Sequence, residues 1–227
     1  MSGLGGFSQE TLAFLAELEL HNHKAWFDVN RSRFEAVVME PARQFVEGVG
    51  AAVQAFAPEV HADPRTDKSI FRFHRDVRFS KDKAPFKTHL GILWWEGTRA
   101  KMGCSGFYFQ LEANRAMLGA GLYMIPKELV GQYRDAVADV HGGRALLAAA
   151  AQVEAAGYKI EGRNAKRVPK GYPADLPQSD FLRHDGLYAW RAFDEVPAAL
   201  FGDGAAAFAA EHFAAMEPLH RWLVDHV

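Results

Sequence analysis

The sequence contains a single cysteine, Cys104, among 227 residues, which excludes an intramolecular disulfide. This scarcity of thiols is typical of a reducing compartment and predicts a cytoplasmic location. The first residues, MSGLGGF, lack a basic start followed by an apolar stretch, and Ser2 stands where myristoylation requires glycine, so no export or lipid signal is expected. The apolar stretches are shorter than the roughly 20 residues that cross a bilayer, which predicts a soluble chain and no membrane partner.

The chain also lacks a nucleotide-binding loop, a metal-binding box and a nucleophile elbow, so the sequence specifies no reaction and leaves enzymatic activity open. We predict no cofactor and no metal site. The formal net charge is −2 and the sequence pI is near 6.6, below the usual range of dedicated nucleic-acid-binding domains. With 49% hydrophobic residues the chain is long enough to bury a core, and one compact domain over residues 1–227 is the expectation.

Positive charge is concentrated between Arg65 and His89. Eight Lys or Arg stand there against three Asp, a formal charge of +5 that leaves −7 for the remainder. This density is typical of a surface that binds anions, because arginine presents a planar fork and lysine a mobile point charge to a phosphate or carboxylate. We call Arg72–His89 the basic motif and expect a small anionic ligand there, with later loops contributing Lys170 and, as further candidates, Lys166 or Arg191. The predicted ligand-binding residues are Arg72, Arg75, Asp76, Arg78, Lys81, Lys83, Lys87 and Lys170.

Two other interpretations of the basic motif remain open. In the first, Asp76 and Asp82 pair with the arginines, and the motif is an internal ion-pair network in a structural or partner-binding domain. In the second, less favoured, the cations follow the phosphates of a nucleic acid. Arg75 separates these interpretations, since alternation places it with Phe71 and Phe73, where a guanidinium needs a partner to offset its desolvation. If Glu112 or Asp76 is that partner, Arg75 is structural, and if neither is, a ligand is expected.

A metal site is a further candidate at His74 and Asp76, which lie two residues apart on one predicted strand face. His89 or His184 could supply a third ligand. The spacing matches no regular metal motif and the neighbouring cations repel a divalent ion, so a hydrogen-bonded structural histidine is the preferred interpretation. Cys104 has no base or oxyanion site in its sequence neighbourhood, and an inert small residue is favoured there.

Periodicity predicts helices at both ends of the chain and strands between them. Ser8 is expected to cap a helix over Gln9–Leu20, and a second helical stretch runs from Lys24 toward Phe56, interrupted at Asn30 or Pro41. Three further helical segments follow the strands. They are predicted from Pro126 to about Val140, from the Gly142-Gly143 break to Ala156, and from about Asp203 to His226.

Alternation of period two predicts the strands, including an antiparallel hairpin across Ala113-Asn114. Strands in the middle of the chain, with helices before and after them, indicate an α+β fold in which helices pack on an antiparallel or mixed sheet. The predicted strands are Ser69–Val77, Leu90–Trp95, Gly106–Glu112, Ala116–Tyr123 and Tyr188–Phe193.

Several stretches together resemble one known family. They are NxxxWF at Asn22–Phe27, RxxRDxRFSxDKxPFK at Arg72–Lys87, GFYFQLE at Gly106–Glu112, GAGLY at Gly119–Tyr123 and KRVPKGY at Lys166–Tyr172. In these segments the chain is similar to the family called domain of unknown function 2461, and the resemblance covers nearly the full length. It implies an α+β domain and carries no reaction, substrate or cofactor.

Overall fold

The computed structural model describes residues 6–227, and its first helix, α1 (Gln9–Leu20), begins after Ser8 as predicted. The Ser8 hydroxyl accepts a hydrogen bond from the Thr11 N–H, and the Thr11 hydroxyl accepts one from the Ser8 N–H. This capping box satisfies two backbone amides that the helix itself leaves unpaired. Residues 1–5, on which part of the expectation of no export signal rests, lie outside the described residues.

The predicted helical stretch from Lys24 is divided into α2 (Lys24–Val29), α3 (Arg31–Phe34) and α4 (Glu40–Val53). The first division falls at Asn30, one of the two predicted positions, where the side-chain amide donates to the Trp26 carbonyl at 2.9 Å. The second is a π turn over Glu35–Met39, which ends two residues before Pro41. This wider turn accommodates a residue that cannot donate the ordinary helical hydrogen bond.

The strands form one six-stranded antiparallel sheet, and the predicted α+β fold is confirmed. Their order across the sheet is β1-β2-β3-β4-β6-β5, so β3 and β4 lie side by side as the predicted hairpin requires. The 159–163 segment was not expected as a strand. It pairs antiparallel with the last strand, with Lys159 opposite Trp190 and Glu161 opposite Tyr188. The strands are β1 (Val60–His61), β2 (Leu90–Glu96), β3 (Gly106–Leu111), β4 (Ala116–Leu122), β5 (Lys159–Arg163) and β6 (His184–Phe193).

The described residues divide into two compact units by their contacts. The first comprises the described residues up to Trp94, together with Tyr108–Leu118 and Ala192–Glu211. The second comprises Trp95–Phe107, Gly119–Arg191 and His212–Val227. The expectation of a single domain stays a prediction.

Aromatic rings fill the core of each unit. In the first, Phe45 of α4 packs against Trp94 and Phe109, with ring centroids 5.8 and 4.8 Å apart, so α4 covers one face of the strands. In the second, Tyr133 meets Trp222 edge to face at 5.9 Å. These large buried side chains dominate the hydrophobic stabilisation of each core.

Three helices in the later part of the chain are α5 (Val130–Ala138), α6 (Val140–Ala155) and α7 (Ala205–His226). The prediction that Gly142-Gly143 separates two helices is wrong, because both glycines lie inside α6. The helices are separated at Asp139, whose carboxylate accepts hydrogen bonds from the N–H groups of His141 and Gly142 at 2.8 Å. The N-cap aspartate therefore decides where α6 begins.

The predicted strand over Ser69–Val77 is also wrong. Its backbone makes isolated bridges, Ile70 to Ile92 and His74 to Phe86, and no continuous ladder. Asp76 explains part of the difference, since its carboxylate turns back onto the Arg78 N–H at 3.2 Å and competes with strand pairing. In the part of the chain that the structure describes, no helix is long and apolar enough to span a membrane.

Candidate functional site

The basic motif folds back on itself, with backbone hydrogen bonds between its two halves. The Arg75 N–H donates to the Pro85 carbonyl at 2.8 Å, and the Lys87 N–H donates to the Phe73 carbonyl at 2.7 Å. Phe73 and Phe86 are buried between these bonds, whereas Phe79 at the tip is 95% exposed. The motif is therefore a two-armed loop anchored at its base by aromatic burial.

Asn22 fixes this base by bonding to both backbone groups of one residue. Its Nδ2 donates to the Phe86 carbonyl at 2.9 Å, and its Oδ1 accepts from the Phe86 N–H at 3.0 Å. The Phe27 ring stacks on Phe86 with centroids 4.2 Å apart. Two of the segments that carry the family resemblance, around Asn22 and around Phe86, thus form a single structural element.

Each arginine of the basic motif already has a carboxylate partner. Arg72 Nε lies 2.8 Å from Asp67 Oδ1, and Arg78 Nη2 lies 2.7 Å from Asp76 Oδ2. The Arg78 hydrogen bonds lower the pKa of the Asp76 carboxyl. Both pairs are largely exposed, so each contributes little to stability.

Arg75 is the least exposed of the three arginines in the basic motif, with 29% of its side chain exposed. Its Nη1 donates to Asp82 Oδ2 and, at 3.1 Å, to the Ala84 carbonyl. Asp82 in turn accepts from the Ala84 N–H, which lowers the pKa of its carboxyl first, with the Arg75 hydrogen bond second. The carboxylate that a guanidinium at Arg75 requires is therefore supplied by Asp82, within the motif itself.

The three lysines of the motif differ from the arginines and from one another. Lys83 Nζ donates to the Val77 carbonyl at 2.9 Å, and Lys81 is exposed with no partner within residues 6–227. Lys87 is partly buried, with its Nζ 5.3 Å from the centroid of the Phe71 ring. Among the described residues, no carboxylate lies within ion-pair distance of Lys87.

The surroundings of Lys87 lower its pKa. Burial is the main cause and repulsion from Arg72 the second, while Asp67 acts in the opposite direction. His89 has its pKa lowered in the same way, first by burial and then by the charge of Lys87. Lys87 and His89 thus lie close together at the base of the motif, and the surroundings of both disfavour the protonated, charged form.

Strand β3 presents a row of polar side chains beside these two bases. Tyr108 Oη donates to Gln110 Oε1 at 2.8 Å, and Gln110 Nε2 donates to Glu112 Oε1 at 2.7 Å. Arg115 closes the row with a 2.6 Å bond to Glu112 Oε2. Tyr108 also meets the Phe71 ring, as expected of a residue on the sheet face next to the motif, and burial raises its pKa to about 12.

The remaining predicted residues have different surroundings. Lys170 and Lys166 are exposed and belong to the second unit, as does Arg191, so their approach to the basic motif stays a prediction. His74 is exposed, and its ring lies 4.9 Å from that of Phe86. Buried His184 hydrogen-bonds to the Asp180 carbonyl through Nδ1. In the described chain, no group of three or more His, Cys, Asp or Glu side chains is arranged to hold a metal ion.

A family model described as conserved hypothetical protein (DUF2461) matches residues 10–222. The chain belongs to this family. No curated protein and no solved structure matched the chain. The function of this DUF2461 protein therefore has to be argued from its own geometry.

The second unit of the DUF2461 chain contains a buried polar network that sequence reasoning missed. Ser105 Oγ lies 2.9 Å from His220 Nδ1, and His220 Nε2 lies 2.9 Å from Glu96 Oε2. Arg221 binds both Glu96 oxygens, at 3.0 and 3.2 Å. The hydrogen bond to His220 is the main cause that lowers the pKa of Glu96 to about 2.

This network is buried, with exposed fractions of 6% for Ser105, 0% for His220 and 7% for Glu96. A nucleophilic serine must be reached by its substrate, and Ser105 is buried. The network therefore stabilises the core. No local sequence signal points to it, since Glu96 and His220 are 124 residues apart. Only the folded chain brings them together.

Proposed function

We propose that the protein binds a small anionic ligand, bearing a phosphate or a carboxylate, at the surface formed by Arg72, Lys87 and His89 beside Tyr108. The observation that carries the proposal is the state of Lys87. Its ammonium is partly desolvated against Phe71, repelled by Arg72 and without an ion-pair partner. A bound anion would supply the opposite charge that this environment lacks.

The balance of charge argues for a small ligand. The side chains that act on Lys87 and His89 include Arg72 and Arg115 as cations and Asp67 and Glu112 as carboxylates. With Lys87 added, three cations stand against two carboxylates, a local charge of only +1 when His89 is neutral. A surface of this charge suits one anionic group, whereas binding along a nucleic acid needs many phosphate contacts.

The proposal narrows the set of residues predicted from the sequence. Arg75 joins the two arms of the loop through its ion pair with Asp82, and Arg78 pairs with its near neighbour Asp76, which supports the alternative of an internal network for that part of the motif. Lys83 donates a hydrogen bond to the Val77 carbonyl, and Lys81 is exposed with no ion-pair partner among the described residues. The binding function is assigned to the base of the loop and the structural function to its arms. A cytoplasmic location stays a prediction, and the question of catalysis stays open.

Thermal unfolding with and without inorganic phosphate tests the proposal. A ligand that binds only the native state adds about 1.4 kcal/mol of stability at ten times its Kd, so phosphate should raise the Tm of the native sequence. Lys87→Met should abolish this rise. Lys81→Met is the matched control, because it removes the same charge from the same motif at an exposed position with no ion-pair partner among the described residues, and it should keep the rise.

Sodium chloride at equal ionic strength separates binding from general screening. The same melts with succinate in place of phosphate distinguish a carboxylate ligand from a phosphate ligand. The proposal is abandoned if neither anion raises the Tm beyond the chloride control, or if Lys87→Met responds as Lys81→Met does.

A further inference from the structure

The second unit contains an open pocket that no part of the proposed function uses. It has a volume of about 410 Å³, within the range typical of small-molecule sites. Two tyrosines, Tyr123 and Tyr188, form one wall with ring centroids 5.3 Å apart and planes inclined at 40°. The other lining residues are Met124, Ile160, Glu161, Gly162, Arg163, Asn164 and Asp185.

Glycines shape this pocket by allowing the backbone of β4, β5 and β6 to approach closely. A Cβ at Gly162, whose φ is +116°, would lie 2.0 Å from the Gly186 carbonyl oxygen, and one at Gly186 would lie 2.1 Å from that of Tyr123. Only glycine permits these approaches. The consequence is that Tyr123, at the end of β4, reaches Tyr188 on β6.

The polar groups of the pocket are mainly negative. Glu161 lies opposite Tyr188 in the strand register and accepts a weak hydrogen bond of 3.5 Å from its hydroxyl. Asp185 accepts a hydrogen bond from the Asn164 amide. Arg163 also lines the pocket, and its Nη1 lies 3.6 Å from Asp180 Oδ1, an oxygen that accepts a shorter bond of 2.8 Å from Arg183. The pocket thus combines two carboxylates with an aromatic wall.

Exposure supports a role in binding. The side chains of Tyr123 and Met124 are large and apolar, yet they are 67% and 64% exposed. Burial and then the charge of Glu161, which accepts from the Tyr188 hydroxyl, raise the pKa of Tyr188. Exposed aromatic faces beside carboxylates attract organic cations, because the ring quadrupole and the carboxylate charge act in the same direction.

We propose that this pocket binds a small organic cation, an alkyl ammonium compound, between the Tyr123 and Tyr188 rings and the Glu161 and Asp185 carboxylates. The rings contact the alkyl groups around the nitrogen, and the carboxylates provide the counter-charge. This site is independent of the anion-binding surface of the first unit and takes a ligand of opposite charge.

Choline and its uncharged isostere 3,3-dimethylbutan-1-ol, in which carbon replaces nitrogen, are suitable probes. The methyl NMR signal of Met124 reports binding directly, because Met124 lines the pocket. We expect a saturable shift with choline and binding of the isostere at least about threefold weaker, since a cation–π contact at an exposed site contributes roughly that factor.

Glu161→Gln and Tyr123→Leu should each weaken choline binding by about threefold or more. Glu154→Gln is the matched control, because Glu154 is an exposed carboxylate of the same unit outside the pocket, and it should bind choline as the native sequence does. A shift that does not saturate, equal affinity for the two probes, or unchanged binding by Glu161→Gln overturns the proposal.

Discussion

Arg75 and Arg78 are three residues apart in one motif, yet the structure places them in different surroundings. Arg75 has 29% of its side chain exposed and bonds to both Asp82 and the Ala84 carbonyl. Arg78 has 77% exposed and bonds only to Asp76. At this scale the local sequence identifies the charged groups, while their protection from water depends on how the loop folds.

Replacing these two arginines should therefore have unequal effects on stability. Arg75→Ala is expected to lower the free energy of unfolding by about 1–2 kcal/mol, because it leaves the part-buried Ala84 carbonyl without its side-chain donor. Arg78→Ala, as the control, should change the free energy of unfolding much less, because its ion pair is exposed. Urea unfolding measures both. Equal losses would show that the protection of Arg75 has no energetic consequence.

Arg75 and Lys87 differ in how far the sequence alone could predict their surroundings. The concentration of charge and the need of Arg75 for a carboxylate were visible in the sequence, but its partner is Asp82 and not the expected Glu112 or Asp76. The singular position of Lys87 was not visible, because it depends on Phe71 and Arg72 being placed around it by an irregular loop. Nothing in a linear charge count distinguishes Lys87 from Lys81.

Helix α6 shows how tertiary contacts override local propensity at the scale of an element. Glycine normally weakens a helix, and Gly142-Gly143 for that reason predicted a break. A Cβ at Gly143 would lie 2.3 Å from Gln178 Nε2 and 2.5 Å from the Val137 carbonyl oxygen. The two glycines are therefore required by close packing against the preceding helix and the loop around Gln178.

Replacing glycine by alanine inside a helix usually stabilises a protein, but at Gly143 it should destabilise it. Gly143→Ala is expected to destabilise the protein by about 1–3 kcal/mol, because the new methyl group overpacks a buried contact. Gly131→Ala in α5 is the control, since a Cβ there would meet nothing within 4 Å, and it should stabilise by about 0.5–1 kcal/mol. Thermal melts of both variants decide the matter, and a stabilised Gly143→Ala protein would contradict the packing argument.

Elements with strong local signals were predicted well, and elements defined by distant partners were not. The capped helix α1 and the hairpin strands β3 and β4 follow their predicted ranges within two residues. Strand β5 was missed because its segment, KIEGR, is short, mostly exposed and dependent on pairing with β6. Alternation alone predicted a strand at Ser69–Val77, where charge pairing within the loop prevails.

At the scale of the whole molecule, buried ionisable groups should make stability depend on pH. The pKa of Glu96 is about 2 in the folded protein, below its ordinary value of 4.5. The unfolded chain therefore binds the proton more readily than the folded one. The stabilisation is complete above about pH 4.5 and is lost as the pH falls from there toward 2.

Glu96→Gln should flatten this acid dependence while lowering stability at pH 7, because it removes the carboxylate that His220 and Arg221 share. Urea unfolding at a series of pH values between 2 and 7 gives the two slopes. Glu154→Gln, at an exposed carboxylate outside the network, should keep the native slope. An unchanged slope in Glu96→Gln would assign the acid sensitivity to other groups, such as Asp63, whose pKa is also lowered to about 2.

The double hydrogen bond between Asn22 and Phe86 joins residues 64 positions apart. At a synthesis rate of about 5 to 20 residues per second, Asn22 is therefore made roughly 3 to 13 s before Phe86. Throughout that interval the Phe27 ring lacks the partner that covers it in the finished protein. Until Phe86 is made, the nascent chain therefore carries an aromatic ring that cannot yet be buried against its native partner. This is the period in which binding by a chaperone would protect the chain from aggregation.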